Sequence, residues 1–328
     1  MTILTVGNGG FEHIQDAVAA AVDGDTIEIA AGTYTEDVTI TGKSITIDGV
    51  ETGGVNNVTL NGQITVAGLL NGAFAITDLN INAAGKAYGV FVSANSTGFA
   101  GSVTLDDVAI SNAKSNGFAY IRAGNGSTPT NPDTIGPVSI LNSEFSNNAT
   151  ANGSNGRGDI LLFGYNQDLT ITNVVISSPG AFAQKAIQMR GVQDGGDIVN
   201  AGPYDPAGDV AINNLTVTGT YAQDLIAFYR IASFSSFAMS GVDLQASAPW
   251  GLFNFDEVGG VINLSSGLSL ATANLSGGPI AAEQGLGMGD TFIGTSGTDV
   301  LAGRDGADIL SGGAPIRSWS TATPPSCR

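Results

Sequence analysis

One short template recurs through the middle of the chain: a strand, a corner at Asn or Asp, and a second strand. It reads Phe74-Ala-Ile-Thr-Asp-Leu-Asn-Ile81, Val103-Thr-Leu-Asp-Asp-Val-Ala-Ile110, Leu169-Thr-Ile-Thr-Asn-Val-Val-Ile176 and Val210-Ala-Ile-Asn-Asn-Leu-Thr-Val217, with looser copies at 138–145 and 237–244. Apolar residues alternate within each half, as a strand with one buried face requires. Asn and Asp tolerate left-handed backbone and bond locally, so they suit a bend repeated at one corner. Copies are ~27 to 41 residues apart, within the range of solenoid repeats, and one period holds about three strands. Stacking such turns gives an all-β parallel solenoid, with unpaired edges only at its ends.

A second series accompanies the first. Gly117-Phe-Ala-Tyr-Ile-Arg122, Asp159-Ile-Leu-Leu-Phe-Gly164, Lys185-Ala-Ile-Gln-Met-Arg190, Leu225-Ile-Ala-Phe-Tyr-Arg230 and Gly251-Leu-Phe-Asn-Phe-Asp256 read as one strand repeated on successive turns. Placed in register they predict an inward stack of Phe118, Ile160, Ile187, Ile226 and Leu252. The outward set then holds Arg190, Tyr229 and Phe255, with Gln188, Phe253, Arg122, Arg230 and Asp256 beside it. In this register Arg190 and Arg230 fall two turns apart. Loops at 123–137, 148–158 and 191–209 interrupt the regular turns, and the first and third follow members of this series. They are expected to wall one side of the outward ladder.

Before the strands, residues 11–22 place Phe11, Ile14, Val18 and Val22 on one helical face, and Asp23-Gly24-Asp25 ends the helix. A short amphipathic helix there suits an end cap over the first turn. The segment from Gly9 to Ile40, with Phe11-Glu-His-Ile-Gln-Asp-Ala-Val18 followed by Asp25-Thr-Ile-Glu-Ile29, resembles the entry of right-handed parallel β-helix proteins of the pectin-lyase-like superfamily. The resemblance covers roughly residues 1–275. It implies the fold and leaves the activity open, since lyases, hydrolases, esterases, epimerases and adhesins share it.

A second resemblance lies near the end. Asp290-Thr-Phe-Ile-Gly294, Asp299-Val-Leu-Ala-Gly303 and Asp308-Ile-Leu-Ser-Gly312 follow one another at nine-residue steps, with Gly297 and Gly306 two positions ahead of the second and third Asp. This is similar to the nonapeptide repeat of RTX proteins. The resemblance implies a Ca²⁺-binding segment over 285–313, with Asp290, Asp299 and Asp308 supplying oxygen ligands and Gly297 and Gly306 the tight turns. It also implies export through a type I secretion apparatus, and the first residues of the chain hold no basic stretch followed by an apolar one. The tail 314–328 departs from the pattern, with Pro324-Pro325 and the single Cys327, and is expected to be disordered.

Composition narrows the partners. The formal net charge is −18, with 11 Lys and Arg against 29 Asp and Glu, which leaves no basic stripe for nucleic acid. No apolar run reaches ~18 residues, so no membrane span is expected. One cysteine allows no internal disulfide. The sole histidine, His13, sits in the cap helix, which argues against His-based triads and His-ligated zinc.

What remains is Arg, Lys, Tyr and carboxylate chemistry. Arg190 and Arg230 suit bidentate binding of a uronate carboxylate, and Tyr229, Lys185 or an Arg could serve as base if its pKa were depressed. Phe253 and Phe255 are expected to offer flat faces to sugar rings, with Gln188, Asp256 and Arg122 completing the substrate surface. Asp194, Asp197, Asp205 and Asp209 crowd the third loop, where a calcium could screen an acidic chain. The resulting expectation is a secreted, bacterial, calcium-binding β-helix that recognises an extracellular uronate-containing polysaccharide and cleaves or epimerises it. Self-association is a further expectation, and two alternatives stand beside this reading: a non-catalytic adhesin, surface-layer or carbohydrate-binding protein, and a pectin-methylesterase-like hydrolase built on Gln188, Gln223-Asp224 and Asp256.

Overall fold

The computed structural model describes residues 1–68, 72–94, 101–122, 135–152, 157–177, 179–191 and 205–259, and beyond them the strands 261–263, 268–269, 281–284, 291–293, 299–302, 309–311 and 318–320. Every strand-to-strand ladder among these residues is parallel, and two long sheets run the length of the chain. The chain is therefore a parallel β-helix.

The corner template accounts for one sheet. Val103 pairs with Phe74 and Val138, Leu169 with Val138 and Val210, so the copies stack turn upon turn. At the corner Asp78, Asp107, Asn142, Asn173 and Asn214 all have φ between 48° and 56°. Their side chains form a ladder: Asn173 Nδ2 donates to Asn142 Oδ1 at 2.8 Å and Asn214 Nδ2 to Asn173 Oδ1 at 3.0 Å. A second ladder joins Asn82, Asn112 and Asn147 through bonds of 2.8 and 2.7 Å, at the far end of the same strands. The bends are thus held by the residues that make them.

The cap helix is shorter than its sequence pattern, spanning Ile14–Ala20. Ile14 and Val18 are buried as expected, whereas Val22 is exposed and Phe11 makes a β-bridge to Val6. Glu36, from the strand region behind, accepts from the Ile14 and Gln15 amides at 3.0 Å each, and the Lys43 amine donates to the Val18 and Ala19 carbonyls. Both helix ends are thereby satisfied by the first turns of the solenoid, negative at the N-terminus and positive at the C-terminus. His13 is the N-cap residue, with Nδ1 3.7 Å from Glu36, and stands far along the chain from the second strand series.

Toward the C-terminus the turns shorten. Phe253 pairs with Ala281, but Ala281 pairs with Asp299, Val300 with Ser318 and Thr291 with Ile309, each 18 residues on. Eighteen residues are two nonapeptides. Asp290, Asp308, Gly297 and Gly306 lie outside the described residues, as does the Asp299 side chain, although Asp299 begins a strand. Within the tail expected to be disordered, Ser318–Ser320 is a strand paired with Val300–Ala302, and the rest lies outside the described residues.

Candidate functional site

The second strand series forms the other sheet: Phe118 pairs with Ile160, Ile160 with Ile187 and Ile187 with Ile226. The last strand corrects the expected register. Gly251 pairs with Asp224, not Leu225, so Phe253 stacks on Ile226 and Phe255 on Phe228. A slip of one residue exchanges the faces of a strand. Phe253 and Phe255 are accordingly fully buried in the core, Phe255 stacked on Phe228 with centroids 5.2 Å apart, and neither offers a face to a sugar. The same register aligns Phe163, Arg190, Tyr229 and Asp256 on successive turns, which brings Arg190 and Arg230 onto neighbouring turns rather than two apart.

Arg190, Tyr229 and Asp256 of this row line a cleft of about 320 Å³, together with Lys185, Gln188, Gln223, Arg230 and Trp250. Arg122 is not among them. It is 5% exposed, at the end of a strand two turns away.

Lys185 is the centre of the arrangement. It is 5% exposed, and its amine donates to Gln223 Oε1 and lies 3.6 Å from Asp224 Oδ2. Asp224 is 1% exposed and accepts the Tyr229 hydroxyl at 3.1 Å. The Lys185 nitrogen also stands 5.8 Å from the ring centroids of both Tyr229 and Trp250. Gly158, the strand partner of Lys185, has no room for a side chain, because a Cβ there would run into the Lys185 carbonyl. Burial lowers the Lys185 pKa, and the Asp224 carboxylate only partly opposes this. Tyr229 moves the other way: burial first, then Asp224, raise its hydroxyl well above the usual range. Both effects favour the protonated hydroxyl over the phenolate that the role considered for Tyr229 from sequence requires.

The two arginines are braced from behind. The Arg190 guanidinium lies 4.9 Å from the Phe163 ring centroid, and Arg230 Nε donates to Glu257 at 3.1 Å. Arg230 and Glu257 have φ of 55° and 56°, a left-handed conformation that non-glycine residues adopt at a cost and that clusters at functional sites.

Asp224 lies beneath Lys185 and Tyr229 and does not line the cleft, unlike Gln188, Gln223 and Asp256. Of the third-loop carboxylates, Asp209 belongs to the corner-template sheet and accepts a hydrogen bond from Ser236, while Asp194 and Asp197 lie outside the described residues. Trp250 is the lining residue that sequence reasoning passed over. The signal was available: an isolated tryptophan just before a strand of the series, behind a proline.

The fold and cleft together define a β-solenoid with a polar cleft on a sheet face. Comparison with family models, with curated proteins and with solved structures finds no match for this chain.

Proposed function

We propose that this chain is an extracellular, calcium-stiffened β-helix that binds a uronate-containing polysaccharide in the Lys185–Trp250 cleft and acts on the proton beside its carboxylate. One observation carries the reading: in a chain of net charge −18 with only 11 Lys and Arg, three of those basic side chains line one cleft. Arg190 and Arg230 suit the carboxylate, since a guanidinium offers paired donors to a planar anion. Lys185, with its lowered pKa, is the base for the C5 proton, and the negative charge that builds toward the carboxylate is met by the arginines.

Two outcomes follow from that step. In cleavage, the C5–H electron pair forms the C4–C5 double bond, the C4–O bond breaks with its pair leaving on oxygen, and that oxygen takes the proton that Lys185 has just accepted. In epimerisation, a water on the opposite face gives C5 a proton, the hydroxide so formed takes the proton held by Lys185, and no chain bond breaks. The 18-residue turns near the C-terminus, two nonapeptides each, support the calcium reading drawn from the RTX resemblance. Type I export and an extracellular location rest on that same resemblance.

Replacing Arg190 by alanine separates an enzyme from a binding module. With a uronate polymer as substrate, the rate is expected to fall by about a hundredfold or more while affinity falls less than tenfold. Loss of affinity with no turnover in the wild type would instead make the cleft a carbohydrate-binding surface.

A further inference from the structure

Trp250 is one of two exposed aromatic side chains among the described residues, with Phe182, and of the two it alone lines the cleft. It is held in place rather than merely displayed. Pro249 and Trp250 form a tight turn closed by a 3.2 Å bond from the Gly251 amide to the Ala248 carbonyl, with Gly251 at φ 139° and Ala248 buried. Proline fixes one dihedral of the turn and glycine supplies the positive φ that a side chain would resist. Trp250 precedes Gly251, the partner of Asp224, so it stands in the row of Gln223 at the cleft mouth. The Lys185 nitrogen stands 5.8 Å from the indole centroid, so the ring packs beside the base of the cleft. The side chain is nevertheless 55% exposed, which leaves indole surface available to a ligand.

We propose that Trp250 is a sugar-stacking platform that selects the residue next to the uronate held at Arg190 and Arg230. This rests on the cleft reading above. A pyranose ring stacks on an indole through the C–H groups of one face, where dispersion and the ring quadrupole both favour contact. The platform accepts a sugar whose stacking face carries no bulky substituent, and it rejects one O-acetylated on that face. The ligand class is thus an acidic polysaccharide with an unsubstituted residue adjoining the recognised carboxylate.

The test uses the full chain and size-defined oligouronates of galacturonate, mannuronate and guluronate, each unacetylated and O-acetylated, followed by calorimetry and tryptophan emission. Trp250→Ala is expected to weaken the best unacetylated ligand by about fivefold to tenfold and Trp250→Phe by less, with the salt dependence of binding unchanged. Discrimination against the acetylated ligand should shrink in Trp250→Ala, which a merely structural tryptophan would not cause. Trp250→Phe emission isolates the contribution of Trp319, the other tryptophan. Wild-type affinity in Trp250→Ala overturns the platform while leaving the cleft reading intact. Failure of every oligouronate to bind the wild type overturns the cleft reading, and the platform with it.

Discussion

Replacing Lys185 by arginine is expected to lower turnover of a uronate polymer by about a thousandfold while leaving affinity within a few-fold of wild type. Arginine keeps a cation beside Asp224 and Gln223, but a guanidinium does not give up its proton in the working pH range, so the base is lost and the charge is not. Lys185→Met is the harsher change. It strips the partner from an Asp224 that is 1% exposed, and breaking a buried pair in this way costs about 3–5 kcal/mol of stability. Initial rates and binding measured on Lys185→Arg, beside its thermal midpoint, decide the matter. A rate equal to wild type would remove Lys185 from the proton-transfer step.

Asp159→Asn is expected to raise thermal stability by several degrees at pH 8 and to have little effect near pH 4. Asp159 is fully buried, and its carboxylate accepts from Asn148 Nδ2 at 3.0 Å and from the Tyr221 hydroxyl at 3.3 Å. Burial outweighs those two bonds and pushes its pKa up from 3.8 to about 7. Between those values the native state keeps a proton that the unfolded chain has released, so stability falls as pH rises through this window and levels off above it. The full span corresponds to roughly 4 kcal/mol. Asp78, raised to about 6 by burial and by the carboxylates around it, adds a slope of the same sign and remains in the variant. The difference between wild-type and Asp159→Asn melting curves across pH therefore isolates Asp159. Parallel curves from pH 4 to 8 would show that its proton does not distinguish folded from unfolded chain.

The fold was legible because its rule is local. Each copy of the template states its alternation and its corner, and five of those corners adopt the left-handed backbone that Asn and Asp were expected to supply. The candidate site was legible only in part, because it depends on register between turns. Strand alternation has a period of two, and the stretch from Leu252 to Phe255 is apolar at both parities except for Asn254, so sequence could not say whether Leu252 or the pair Phe253 and Phe255 faces inward. Pairing of Gly251 with Asp224 settles this and moves Phe253 and Phe255 into the core. Lys185 is a different case. It was named as one possible base among several, but its distinction from Tyr229 comes from burial and from Asp224, neither of which a linear pattern conveys. The second asparagine ladder at Asn82, Asn112 and Asn147 was likewise invisible, since its members sit at the edges of the template rather than at its centre.

The central claim is that the cleft binds and alters an acidic polysaccharide. Proton NMR of a panel of acidic and neutral polysaccharides, incubated with the full chain in calcium and in chelator, tests it most directly, since one spectrum reports new double bonds, new chain ends, inverted centres and lost esters. The expected result is a calcium-dependent change in a uronate polymer, either an unsaturated end or an inverted C5, and none in the neutral ones. Unchanged spectra for every uronate polymer, or loss of methyl ester as the sole change, would contradict it.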